Sequence, residues 1–308
     1  MDPAHQCRLP HVRHELQPVH RRSQCRWHRG RPQDPGRSRR DRHRVIRQDR
    51  RVRQGSARLS TPLGFQHPDV QRLRRLLGRR SARWDEGAFV VEGRILIEEA
   101  VAADWDVEAQ FVAPGGEPVR GAGGHVYDLA AHVIERVAST EAPQPLLAVV
   151  RIRQHEISDF AGAALVVVAD RIADPGNLGT MLRSCEAAGV NGVVLITGSA
   201  DPYNPKVVRA SAGALFHVPV VADIALHELQ ALRLPLVGTS SHQGKAYTDT
   251  DLTKPFALVM GSEAHGVSDE IPIDSWLTIA HVGRAESLNV AMATTVVVFE
   301  ALRQRAAR

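Results

Sequence analysis

Short continuous apolar runs alternate with stretches whose apolar positions recur every three or four residues, from Pro62 to the end of the chain. This pattern predicts an α/β protein, because continuous Val/Leu/Ile strands interleaved with amphipathic helices build a parallel sheet covered on both faces. In the first part, His67-Pro68-Asp69 precedes a helix in which Val70, Leu73, Leu76 and Leu77 recur at helical spacing. Arg72, Arg74, Arg75, Arg79, Arg80 and Arg83 occupy its remaining positions and predict a basic, solvated face. A strand is predicted over 87–93, a helix over 94–103, a strand over 108–113, and further elements up to Ile152. From Ala163 the alternation is regular, with strands over 164–169, 192–197, 219–222, 235–238, 255–260 and 276–280. Helices are predicted over 177–188, 205–216, 224–233 and 287–305, with Asn177 and Ser287 as N-caps and Asn289 in the first turn of the last. Two folded parts result, a small α/β domain over 62–154 and a larger parallel-sheet domain over 160–308.

Charge separates both from what precedes them. Residues 1–60 carry 17 Arg and no Lys against 5 Asp+Glu, which leaves 22 basic and 29 acidic residues for 61–308. The basic pI of the whole chain therefore belongs to its first 61 residues. With few aliphatics and no sustained period, that segment buries too little apolar area to offset its ordering entropy and is predicted to be disordered. It reads either as an RNA-binding arm whose arginines neutralise phosphates, or as the product of a start site set too early in a GC-rich frame; the second reading is favoured. It has no apolar core of a secretory signal. The chain has 3 cysteines, too few for a disulfide framework, and no apolar run approaches the ~18 residues of a membrane span. A cytoplasmic enzyme is expected. Cys7 and Cys25, with His5, His11, His14, His20 and His28 nearby, match no C-x2-C spacing, so no metal is expected.

Three separated segments carry the candidate chemistry: Asn177-Leu178-Gly179-Thr180-Met181-Leu182-Arg183, Leu258-Val259-Met260-Gly261-Ser262-Glu263-Ala264-His265-Gly266, and Ser287-Leu288-Asn289-Val290. Each begins where a predicted strand gives way to a loop or helix, the edge at which parallel sheets bind ligands. In order and separation they resemble the three signature motifs of the SpoU-like branch of the SPOUT superfamily, the knotted RNA methyltransferases, over roughly 164–302. Residues 64–152 are similar to the small substrate-binding domain that precedes the catalytic domain in many of these enzymes. The resemblance implies a C-terminal trefoil knot, S-adenosylmethionine as cofactor and transfer of methyl to a ribose 2'-hydroxyl, with ribosomal RNA preferred over tRNA and a homodimer whose sites form across the interface. It places Asn177, Arg183, Glu263, Ser287 and Asn289 at the catalytic centre and Thr239, Gly261, Ile279 and Leu288 around the cofactor. RNA contacts are assigned to Arg72, Arg75, Arg79, Arg80, Lys206, Arg209 and Ser211. The chain departs from the pattern at Ala280, where many relatives have proline.

Methyl transfer to a hydroxyl requires in-line alignment of two substrates and removal of one proton. A guanidinium is effectively always protonated, so Arg183 is read as holding the neighbouring phosphate and polarising the hydroxyl, not as the base. Asn177, Glu263, Ser287 and Asn289 fix the geometry, and the base itself stays open. Two rivals are an RNA-binding protein of the same fold without activity and a nucleotide-binding oxidoreductase. Retention of the polar motif residues argues against the first, and the lack of Gly-x-Gly-x-x-Gly after the first strand of either domain argues against the second.

Overall fold

The computed structural model describes residues 61–138, 142–284 and 287–307. The expectations for residues 1–60, including Cys7 and Cys25, lie outside the described residues. Four strands, β1 (Ala88–Glu92), β2 (Val107–Val112), β3 (His125–Asp128) and β4 (Leu146–Arg151), make a first sheet in the order β1-β4-β2-β3. β4 runs antiparallel to β1 and β2, while β3 lies parallel to β2 at one edge. Helices α1 (Pro68–Gly78), α2 (Arg80–Glu86), α3 (Arg94–Ala102) and α4 (Ala131–Val137) surround it. Val70, Leu73 and Leu76 of α1 and Val133 of α4 seal one face against Val90, Phe111, Leu147 and Val149. The spacing read from the sequence is thus the buried stripe of α1.

The basic face needs one correction. Arg83 is not a solvated residue of that helix; it belongs to α2, is 3% exposed, and pairs with Asp201 at 2.6 Å while donating to the Leu76 carbonyl. It links α2 to the loop that enters the second part of the chain. The opposite face of the first sheet has no separate core. Phe89 packs on Tyr203, Trp105 and Phe216 with ring centroids 4.9, 5.8 and 6.4 Å apart, and the Trp105 indole donates to the Phe216 carbonyl.

The second sheet has seven strands, β5 (Leu165–Ala169), β6 (Gly192–Ile196), β7 (Val220–Ile224), β8 (Leu236–Thr239), β9 (Lys245–Ala246), β10 (Phe256–Met260) and β11 (Ser275–Thr278). All its pairings are parallel, in the order β7-β6-β5-β10-β8-β11-β9. Every residue of β5, β6 and β10 is buried, which explains their unbroken apolar runs. Each fully buried Val or Leu there contributes about 1.5–3 kcal/mol. Helices α5 (Pro175–Ala187), α6 (Pro205–Ala210) and α7 (Val290–Ala306) cover one face with Leu178, Met181, Leu182, Val207, Val297 and Val298.

Four local expectations change. The helix expected over 205–216 stops at Ala210, because Ala212 and Gly213 take positive φ, and it resumes only as a 3-10 turn over Ala214–Phe216. The helix expected over 224–233 is a 3-10 segment, Leu226–Leu232, whose Leu229 and Leu232 cap the other face of the sheet. Asn177 is not the N-cap of α5: Asp174 is, followed by Pro175 at the first helical position, so Asn177 sits inside the first turn. Ser287 is not the N-cap of α7: Asn289 is, accepting from the Ala291 and Met292 N–H groups.

Candidate active site

The carboxyl ends of β8, β10 and β11 open into a cavity of about 500 Å³. That volume lies within the ~300–1,000 Å³ typical of small-molecule sites. Thr239, Gly261, Ile279 and Leu288 all line it, as do Glu263 and Ser287. Thr239 ends β8 and its hydroxyl donates to the Val259 carbonyl at 3.1 Å, tying the rim of the cavity to β10. At Gly261 the chain turns back on itself, with Ser262 and Gly266 exchanging backbone hydrogen bonds at 3.0 and 2.9 Å. A Cβ on Gly261 would fall 2.0 Å from the Gly266 carbonyl carbon, so only glycine permits the fold-back that presents Glu263 at the rim.

The catalytic candidates meet in a chain of side-chain hydrogen bonds. Asn177 donates from Nδ2 to Glu263 Oε1 at 2.5 Å, and its Oδ1 accepts from Asn289 Nδ2 at 2.8 Å. Since Asp174 takes the capping duty by accepting from the Asn177 N–H at 2.7 Å, the Asn177 amide is free to bridge the other two segments. The three motifs, distant along the chain, are joined through one asparagine. Ser287 is exposed at the cavity without a partner among the described residues. Arg183 is not brought to the cavity. It lies further along α5, exposed, with no ion pair or hydrogen bond among the described residues. Its neighbour Ser184 bonds Thr295 of α7 at 2.6 Å, while Arg183 itself points away from the buried stripe of α5 into solvent.

Other groups were not singled out by sequence reasoning. Asp170 is fully buried at the end of β5, where its carboxylate accepts from the Ser268 N–H at 2.7 Å and from Arg171 at 3.0 Å. It fastens the loop after β10 to the neighbouring strand. The signal was present in the sequence, as a carboxylate ending a five-residue apolar strand has to be buried with partners. His242, His265 and His281 also line the cavity, and His281 Nε2 is buried without a partner among the described residues, a desolvated group that a bound polar atom would satisfy.

The RNA-contact candidates divide. Lys206 and Arg79 are exposed, with no side-chain partner among the described residues. Arg72 bridges Glu86 at 2.6 Å and Glu108 at 2.8 Å, and burial notwithstanding, those hydrogen bonds raise its pKa. Arg75 also reaches Glu86, Arg80 pairs with Asp223, and Arg209 pairs with Glu92. Ser211 is corrected: it is fully buried and spends its hydroxyl on the Val208 carbonyl, so it presents nothing to RNA.

Residues 164–299 match the SpoU rRNA Methylase family and residues 67–148 the MRM3-like substrate binding domain. The 23S rRNA (guanosine(2553)-2'-O)-methyltransferase RlmP of Bacillus subtilis (strain 168) is 34% identical over 72% of this chain and 92% of its own length. The chain belongs to the SpoU family of rRNA methylases. A second relative, the 23S rRNA (uridine(2479)-2'-O)-methyltransferase of Streptomyces viridochromogenes, is 32% identical over 76% of this chain and 89% of its own. Among solved structures, the SpoU methyltransferase AviRb of that organism, in complex with AdoMet, superposes with a TM-score of 0.72 at 31% identity, covering 78% of this chain and 98% of that one. An AdoMet-bound rRNA methyltransferase from Sinorhizobium meliloti gives a TM-score of 0.71 at 29% identity, over 78% of this chain and 96% of that one. The apolar Leu277, Ile279 and Leu288 beside polar Thr239 and Ser287 suit a nucleoside with a polar tail.

Proposed function

We propose that the protein is an S-adenosylmethionine-dependent methyltransferase acting on a ribose 2'-hydroxyl of ribosomal RNA, with residues 62–154 as the RNA-binding part and 160–308 as the catalytic part. The observation that carries this is the Glu263–Asn177–Asn289 chain at the rim of the cavity. When bound, S-adenosylmethionine supplies an electrophilic methyl group on a sulfonium. Thr239, Gly261, Ile279 and Leu288 hold it. Asn177, Ser287 and Asn289 position the ribose, and the 2'-oxygen forms the new bond to carbon as the sulfur–carbon bond breaks. Glu263, kept in place by Asn177, is the carboxylate at the rim able to accept the hydroxyl proton.

Arg183 serves by holding the adjacent phosphate, which asks for a second chain. A homodimer through α5 and α7 answers this: Met292, Phe299 and Leu302 expose 62, 42 and 41% of their surface along α7, and Arg183 is exposed on α5 with no partner among the described residues. A trefoil knot in the C-terminal part of the chain is proposed with this reading, on the resemblance of the three motifs to the knotted methyltransferases. No helix among the described residues is long and apolar enough to cross a membrane, and we place the enzyme in the cytoplasm.

The test is transfer of tritiated methyl from S-adenosylmethionine to unmodified ribosomal RNA and to bulk tRNA, with the full chain and with a form starting at Pro62. Label in ribosomal RNA, at a linkage resistant to alkali, supports the reading. Label in tRNA alone moves the substrate class, and failure to bind the cofactor removes the enzyme reading.

A further inference from the structure

A second concavity, about 430 Å³, lies on the first sheet, between α1 and the β2–β3 edge. That edge is the far side of the sheet from β1, the strand that packs on Tyr203 of the catalytic part. The cavity therefore stands apart from the site described above. Its wall is aromatic: His125 and Tyr127 project from the same face of β3 with ring centroids 6.0 Å apart, and Tyr127 stacks on Phe111 at 5.1 Å and 27°. Its polar groups come from α1 and β2, namely Asp69, Arg72 and Glu108. Both oxygens of Glu108 are engaged, by Arg72 and Arg151. Arg72 spends Nε and Nη2 on carboxylates and leaves Nη1 without a partner among the described residues. Burial, the nearby Asp69 charge and a hydrogen bond to Asp69 raise the Tyr127 pKa; Asp69, whose Oδ2 also lies 3.5 Å from His67 Nδ1, is held by these neighbours and keeps its remaining lone pairs for a ligand.

A flat, half-exposed aromatic wall beside one carboxylate and one guanidinium is the chemistry that reads an unstacked base. Single-stranded RNA is recognised by stacking splayed bases on aromatic or histidine rings and bonding their edges. A carboxylate accepts two N–H groups and a guanidinium donates to a carbonyl oxygen. Guanine is the base whose pairing edge offers two N–H donors next to one carbonyl. Adenine and cytosine lack that order, and uracil has one donor between two acceptors.

We infer that the cavity walled by His125 and Tyr127 is a guanine-selective subsite for an unpaired nucleotide of the substrate RNA, distinct from the nucleotide that is methylated, with Asp69 accepting from the base N–H groups and Arg72 donating to its carbonyl. The inference rests on the RNA methyltransferase reading for its choice of ligand. It makes the first sheet a selector of RNA sequence, where phosphate contacts alone would be indifferent to it.

The experiment is fluorescence anisotropy of the full chain at fixed salt with labelled single-stranded pentamers UUGUU, UUAUU and UUIUU, where inosine lacks the exocyclic amine. UUGUU is expected to bind about tenfold tighter than UUAUU, with UUIUU between, as one bidentate base contact provides. Asp69→Asn should abolish the preference for G over A, and Tyr127→Leu should weaken all three oligonucleotides. S-adenosylmethionine affinity, measured by calorimetry on the same proteins, should not change. Equal binding of UUGUU and UUAUU, or an Asp69→Asn protein that keeps the preference, overturns the inference. Loss of cofactor binding in the wild-type chain with the G preference intact would instead overturn the methyltransferase reading and leave the subsite standing.

Discussion

Gly179→Ala tests whether close approach of two helices sets the catalytic geometry. Gly179 faces α6 from the middle of the first motif, and a Cβ there would lie 2.4 Å from Ala210 Cβ and 2.8 Å from the Val207 carbonyl oxygen. Ordinary carbon contacts are about 3.5–4.0 Å, so α5 and α6 must part by roughly 1 Å. Helix propensity alone favours alanine by about 1 kcal/mol. Overpacking against backbone costs up to about 3 kcal/mol. The net expectation is destabilisation by about 2 kcal/mol, a fall in Tm of about 4–8 °C for a chain of this size. Because Asn177 lies on the same turn of α5, a 1 Å displacement should also lower kcat by up to about 100-fold. Thermal unfolding and single-turnover methyl transfer read both effects. Gly179→Ala/Ala210→Gly removes the nearest clash and should recover part of the lost activity, the 2.8 Å approach to the Val207 carbonyl oxygen remaining. A Gly179→Ala protein as stable and active as wild type would refute the packing argument, since propensity would then have decided the outcome.

Three further outcomes are expected. Arg83→Met leaves the Asp201 carboxylate buried, 4% exposed, without its cation and with the Tyr203 N–H as its remaining donor, and should cost about 3–5 kcal/mol in urea unfolding; Arg83→Met/Asp201→Asn should recover part of it, and a loss under 1 kcal/mol in the single variant would show the pair to be solvated. Asn177→Asp sets a second carboxylate 2.5 Å from Glu263 Oε1 and should reduce methyl transfer at least about 100-fold at neutral pH with Tm nearly unchanged, whereas full activity would remove Asn177 from the catalytic chain. Glu300 accepts from Arg303 and Gln304, which holds its pKa at about 2. A depressed carboxylate stabilises the fold above its unfolded value, so this contribution should fade as pH falls from about 4.5 toward 2 and be absent from Glu300→Gln, as followed by urea unfolding against pH.

Much of this was legible in the residues, for identifiable reasons. The buried stripe Val70, Leu73, Leu76 and the all-apolar strands 165–169 and 256–260 read directly because burial on one or both faces dictates composition. The parallel sheet followed from those strands, and its strand order did not, because periodicity carries no information about which strand lies beside which. Cap assignments slipped by two or three residues at Asn177 and Ser287. Asn, Asp and Ser compete for the same position on local grounds, and Asp174 and Asn289 hold it by accepting from the Asn177 N–H and from the Ala291 and Met292 N–H groups. Arg83 and Ser211 went wrong for one cause: each looks polar and solvated in isolation, and each is buried because a partner, Asp201 or the Val208 carbonyl, waits for it. That Arg183 stays outside the cavity was invisible for the same reason, being a matter of how α5 packs on its neighbours.

Asn177 binds residues 86 and 112 positions later in the chain, and β5 finds its central neighbour in β10, with Leu165 opposite Phe256. Long-range parallel pairing makes for slow folding. During synthesis the first motif emerges well before either of its partners, so a ribosome that stalls before residue 256 releases a chain with β5 unpaired on one side and α7 missing. Such a fragment exposes the Val166-Val167-Val168 edge, a ready template for aggregation. The catalytic arrangement thus assembles only once residues 256–289 have been made, and shorter products expose that edge before they hold the joined motifs.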